Sequence, residues 1–171
     1  MKETTNREQI LKSIQHALAV KDENPYQDID LDAEVYEWRN QDMVALFAEE
    51  LKLVKGDFWY CKDKKELFNS FSKLCDEKGW PPVFVTDNRM KELLETGGIA
   101  VTDILPDTGA AFAGATFCEA LVARLGSVMV SSASSGGRRG IVYPEAHIVI
   151  AYLSQVVPDL KDALATIHKK Y

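Results

Sequence analysis

The sequence predicts an α/β domain with a mainly parallel central sheet flanked by helices on both faces. Three observations lead there. Strand-like and helix-like stretches alternate from Phe58 onward, the pattern of parallel βαβ units joined by right-handed crossovers. Two later runs, Ser127–Val130 and His147–Ala151, are apolar without a polar alternate, as in strands covered on both sides. A chain of 171 residues, 46% hydrophobic and 27% charged, suits one globular domain with a sizeable core.

Taken in order, Thr5 or Asn6 can cap a first helix that runs to Val20. Ile10, Leu11, Ile14, Ala17 and Leu18 fall on one face of it, and His16 lies off that stripe. Lys21–Leu31 is polar, contains Pro25 and reads as a linker, so residues 1–31 form a helix and linker ahead of an α/β domain over 32–171. Asp32–Val54 carries a broad apolar stripe (Val35, Tyr36, Met43, Val44, Phe47, Leu51) and predicts a long helix of roughly 34 Å, stopped by Gly56. Trp38 and Arg39 on it fit a ligand-facing pair less well than core positions.

Phe58–Cys61 reads as a short strand. Asp63 then caps a helix to Lys78 that Gly79 ends, with Cys75 as an inert core thiol. Val83–Thr86 is a strand, Asn88–Glu95 a short helix, and Gly97-Gly98 its stop. Ile99–Val101 adds a strand, Asp107–Gly109 a turn, and Ala110–Ala115 a strand of small residues entering a tight site. Thr116–Leu125 reads as a short helix or a bend. Pro158-Asp159 opens a last helix that buries Leu160, Ala163, Leu164 and Ile167 and ends on His168-Lys169-Lys170, where cations complement the helix dipole.

Composition excludes several function classes. A net charge of −6 argues against a general nucleic-acid binder. No apolar run approaches the roughly 20 residues of a membrane span, and MKETTNREQI contains no signal-peptide core, so a cytoplasmic location is expected. Cys61, Cys75 and Cys118 stand far apart, and His16, His147 and His168 have no metal-ligand spacing. No metal site and no redox cofactor of the chain's own is expected.

Between the two apolar strands lies Ser131-Ser132-Ala133-Ser134-Ser135-Gly136-Gly137-Arg138-Arg139-Gly140. Glycines let backbone N–H groups approach a ligand, hydroxyls add donors, and arginine supplies a planar permanent cation. The same composition also suits a solvated polar loop, since it matches no phosphate-loop or dinucleotide pattern. Glu119 can be a base or nucleophile if burial or a neighbour such as Arg124 tunes it, or an exposed acid beside an exposed Arg. Ser127, Ser131 and Ser132 fit no known nucleophile pattern. His147 suits a hydrogen-bonded core position, with a pocket edge as the second choice.

The stretch from Glu119 through the apolar run Ala120-Leu121-Val122-Ala123, the Gly126-Ser127 step and the strand to Val130 resembles the LUD domain of the lactate-utilization protein C family. Gly137-Arg138-Arg139, Tyr143-Pro144, His147-Ile148-Val149, Gln155, Val156 and Asp159 continue the likeness. Many members have Glu-Thr where this chain has Arg124-Leu125. The resemblance implies the three-layer α/β fold shared with CoA transferases, ribose-5-phosphate isomerase and glucosamine-6-phosphate deaminase, with an anion site at strand ends. It implies a non-redox component of a system oxidising L-lactate to pyruvate, with iron–sulfur clusters only in partner subunits. The alternative is a stand-alone enzyme or binding protein for a small phosphorylated or carboxylated metabolite. On either reading Glu119 is the catalytic candidate. Thr116, Arg124, Gly126, Ser127, Ser131, Ser132, Gly136, Gly137, Arg138, Arg139 and His147 are the candidates for holding the anion. Adjacent residues on extended backbone point opposite ways, so only one of the two loop arginines is expected to face the pocket.

Overall fold

The computed structural model describes residues 6–19, 29–30, 33, 42–105, 111–135 and 137–171. The chain divides into two compact units, 1–37 and 38–171. The first contains helix α1 (Asn6–Ala19), whose Ile10, Leu11, Ile14 and Leu18 are solvent-exposed. Most of the predicted linker, Trp38 and Arg39, the Asp107–Gly109 turn and Gly136 lie outside the described residues.

The second unit begins with α2 (Met43–Leu53). Asp42, with extended backbone, caps it by accepting from Val44 and Ala45 N–H. The long helix expected over Asp32–Val54 is therefore eleven residues where it is described, because the carboxylate of Asp42 claims the backbone donors that a continuous helix would use. Phe58–Cys61 forms no ladder. Phe58 turns onto the α2 cluster and meets the Phe47 ring edge-on at 5.9 Å, while Trp59 and Tyr60 stay exposed. Helices α3 (Lys64–Lys78) and α4 (Asn88–Thr96) follow, capped by Asp63 and Asp87, with β1 (Val83–Phe84) between them.

Strands β2 (Val101–Thr102), β3 (Ala113–Phe117) and β6 (Ala146–Ile150) join β1 in a four-stranded all-parallel sheet of order β2-β1-β3-β6. Side chains alternate across it. Val83, Val85, Ala113, Ala115 and Ile150 point to one face and pack on Met90 and Leu94 of α4 and Phe71 of α3. Met90 and Leu94 are fully buried, which contributes about 1.5–3 kcal/mol each. The other face carries Phe84, Gly114, Thr116 and His147. It is covered by two single-turn helices, α5 (Ser132–Ser135) and α6 (Arg139–Val142), and the residues joining them. A Cβ at Gly114 would strike the Gly140 carbonyl and the Pro144 ring, so backbone lies directly on backbone there. Helices thus cover both faces of a parallel sheet, which is the three-layer α/β fold.

The run Ser127–Val130 belongs elsewhere. Strand β5 (Ser127–Met129) pairs antiparallel with β4 (Ala120–Val122), and β4 pairs in parallel with β7 (Val156–Val157), forming a separate three-stranded sheet. The segment Thr116–Leu125, expected as a helix or bend, supplies the end of β3, then β4, then a 3-10 turn over Ala123–Leu125. The reason is local. Gly126 adopts left-handed backbone at φ 55° and reverses the chain, so β5 folds back on β4 instead of crossing to the parallel sheet. Leu121 of β4 faces Phe47 of α2, whereas Ala120 and Val122 face Ala163 of the last helix, α7 (Leu160–Lys170). Among the described residues no helix is long and apolar enough to cross a membrane.

Candidate functional site

The predicted site residues gather in distinct places. Glu119 sits at the joint between the two sheets, immediately after β3, with its side chain 2% exposed. Its carboxylate accepts from Ser131 Oγ at 2.6 Å, Lys170 Nζ at 2.7 Å and Tyr171 OH at 3.1 Å. Burial by itself would push this carboxyl up. Hydrogen bonds from Lys170, Ser131 and Tyr171, with the Lys170 charge, outweigh that and pull it down to about 2. A carboxylate so depressed is a poor proton acceptor at neutral pH, and its oxygens are occupied. In this state Glu119 serves as an anchor for α7 and the Ser131 segment, and it becomes a base only if Lys170 or Tyr171 withdraws.

Arg124, the expected neighbour of Glu119, instead donates to Asp159 Oδ1 at 2.7 Å, tying the 3-10 turn to the N-cap of α7. The cation on Glu119 is Lys170, 51 residues along the chain. Gly126 lies against α2, where a Cβ would collide with the backbone of Glu50 and Leu51. Ser127 is exposed and bonds back to the Leu125 carbonyl at 3.3 Å.

Thr116 and His147 do come together. Thr116 is 2% exposed, and its Oγ1 lies 2.8 Å from His147 Nε2 across the β3–β6 pair. Burial holds the His147 imidazole below its ordinary value, so it is neutral at pH 7. Beside them, buried Ser135 shares its hydroxyl proton between the carbonyls of Ser131 at 2.7 Å and Gly137 at 2.9 Å. Its own carbonyl accepts from Thr86 Oγ1 at 2.6 Å. These bonds give the Ser-rich segment a fixed shape over the sheet. Ser132 is exposed at the start of α5.

Arg138 and Arg139 are both exposed, and both line a cleft of about 430 Å³ with Gly137, Thr86, Phe84, Asp103 and Leu105. Thr86 follows β1 and Asp103 follows β2, so this cleft opens at the carboxyl ends of parallel strands, where α/β sheets bind ligands. The backbone at Arg138 is helical (φ −86°, ψ −15°), not extended. Consecutive helical side chains lie about 100° apart, which is why both arginines reach one cleft where the extended-chain expectation placed them on opposite sides.

Another cleft of about 430 Å³ opens at the carboxyl ends of β3 and β6, lined by Phe117, Cys118, Tyr152 and Gln155 together with residues of α3, α4 and α7. Gln155 is held in place, accepting from Tyr152 N–H at 2.7 Å and donating to the Cys118 carbonyl at 2.6 Å. Burial and the nearby Glu119 charge push the Cys118 thiol up to about 11, which keeps it protonated and unreactive. Among the described residues no group of three or more His, Cys, Asp or Glu side chains converges as a metal site.

A family model of the LUD domain matches residues 44–171. The chain belongs to the LUD-domain family. The match spans α2 through α7, so both sheets and both clefts fall within the LUD domain. The family is associated with lactate utilization. No curated protein and no solved structure matches the chain. Four residues that build the sites of this LUD domain carry no local sequence signal: Lys170, Ser135, Thr86 and Asp103. Lys170 reads in the sequence only as a cation at a helix end, and its bond to Glu119 spans nearly a third of the chain.

Proposed function

We propose that this LUD domain is a cytoplasmic, non-redox component of a system that oxidises L-lactate to pyruvate. Iron–sulfur partner subunits carry the electrons, and the LUD domain takes a small carboxylate or phosphate anion in the Arg138–Arg139 cleft. The LUD-family match carries the role in lactate utilization. The anion site is supported by two exposed guanidiniums beside Gly137 and Thr86 at the carboxyl ends of β1 and β2. A guanidinium offers a carboxylate a paired, charge-assisted contact, and Asp103, which also lines the cleft, disfavours more highly charged anions. Ser135 holds the segment that leads to the arginines through its bonds to the Ser131 and Gly137 carbonyls, and Thr116 and neutral His147 bond each other across the sheet beneath it.

Thermal-shift titration tests the anion site. Lactate, pyruvate or phosphate at about a hundred times its dissociation constant raises stability by about 2.7 kcal/mol. Arg138→Ala and Arg139→Ala each weaken binding about ten-fold, or about 1.4 kcal/mol, and leave the unliganded Tm in place. No stabilisation by any of these anions removes the site.

The system role has its own measurement. The purified chain is expected to be colourless and to oxidise no lactate alone, and to support lactate oxidation when co-expressed with iron–sulfur partners. Lactate oxidation by the chain alone, or visible absorption with stoichiometric iron and sulfide, overturns the non-redox assignment.

A further inference from the structure

We propose that the cleft at the carboxyl ends of β3 and β6 is a second binding site, for an organic anion with a flat apolar body. Among the described residues, three cations line it from three helices, Lys64 of α3, Arg89 of α4 and Lys170 of α7, against one lining acid, Glu92. A cation cluster lining one concavity draws anions to it, with Asp87 and Glu119 offsetting part of the charge of Arg89 and Lys170. Two of the cations are pre-positioned. Asp87 grips the Arg89 guanidinium through Nε at 3.3 Å and Nη2 at 2.9 Å, and the guanidinium carbon lies 5.8 Å from the centre of the Phe117 ring. Lys170 is held by Glu119, and an ammonium has more than one proton to donate. Among the described residues no carboxylate pairs with Lys64.

The cleft has an apolar side as well. Phe68, Leu93 and Phe117 line it and also pack against the buried core of the parallel sheet, which makes them a rigid wall. Cations beside aromatic rings suit a ligand that places a carboxylate among the cations and a planar body against Phe117. The volume of about 430 Å³ falls within the roughly 300–1,000 Å³ range of small-molecule sites. Phe84, the one aromatic ring lining the Arg138–Arg139 cleft among the described residues, packs edge-on against Phe112, so that cleft suits smaller anions and the two sites are chemically distinct.

Calorimetric titration of the full chain with naphthalene-2-carboxylate provides the test, with naphthalene-2-carboxamide and acetate as comparisons. The carboxylate is expected to saturate one site, the neutral amide to bind about ten-fold more weakly or worse, and acetate to give no saturation there. Lys64→Gln and Arg89→Gln each raise Kd about ten-fold. Lys64 is exposed, so K64Q leaves the unliganded Tm unchanged and separates lost binding from lost folding. Backbone amide shifts in NMR are expected at Leu93, Phe117 and Gln155. Equal affinity for carboxylate and amide, unchanged Kd in both variants, or shifts confined to Gly137–Arg139 overturns the proposal.

Discussion

Replacing Glu119 with glutamine is expected to lower stability by on the order of 2 kcal/mol at neutral pH and to flatten the acid limb of the stability profile. The folded-state carboxyl is pulled from its ordinary 4.5 down to about 2. A depressed carboxylate stabilises the fold above its unfolded pKa, near 4.5, and the contribution fades as pH falls through that value toward about 2. At about 1.36 kcal/mol per unit the full shift corresponds to roughly 3 kcal/mol. Lys170 is 51% exposed, and solvent screening of that partner brings the figure down to about 2 kcal/mol. Glutamine keeps the shape but puts an amide N–H₂ among Ser131, Lys170 and Tyr171, all of which are donating to Glu119. Urea unfolding at a series of pH values between about 2 and 7 measures the effect. A variant that loses stability on acidification as steeply as the parent would show that Glu119 is not the group being titrated.

Gly126→Ala should cost more, about 2–5 kcal/mol, because two penalties add. The residue sits at φ 55°, where a Cβ costs about 1–2 kcal/mol. That Cβ also points into the backbone of Glu50 and Leu51, which cannot rotate away as a side chain tip can, and such overpacking costs about 1–3 kcal/mol. Anion affinity in the Arg138–Arg139 cleft should survive in whatever fraction folds, since Gly126 lies against α2 and not among the residues lining that cleft. Denaturant midpoints give the first quantity and ligand titration at low temperature the second. A stable variant that no longer binds anions would assign Gly126 to the binding site instead.

Features set by neighbours in sequence were legible. Asp63 caps α3 and Gly79 closes it in left-handed conformation, because capping engages groups within a few residues. The parallel sheet was legible from the βα alternation, though Phe58–Cys61 had strand composition and no ladder partner. Strand β5 shows where such reading stops. Its apolar run says that both faces are covered, and they are, by α2 and α7, but composition cannot say which strands lie alongside. The site divides in the same way. The guanidinium pair was visible as composition, and its helical backbone was not. Glu119 was visible as an acid in a family motif. Its partner Lys170 was not, because pairing over 51 residues depends on how α7 docks against β4.

The turn at Gly126 also bears on the order in which the chain assembles. Strands β4 and β5 are neighbours in sequence and close through a short reversal, so their pairing needs little loop entropy and falls in the class of hairpins that form in about 1–10 μs. The parallel ladders have no such shortcut. Strand β3 must wait for β6, which begins 29 residues after β3 ends, with β4, β5, α5 and α6 in between. The β4–β5 hairpin can therefore nucleate as a local unit, while β7 and the layer carrying both clefts at its strand ends are added late. The two clefts of this domain are products of the slowest contacts to form, and a chain caught partway would hold its hairpin before either cleft was built.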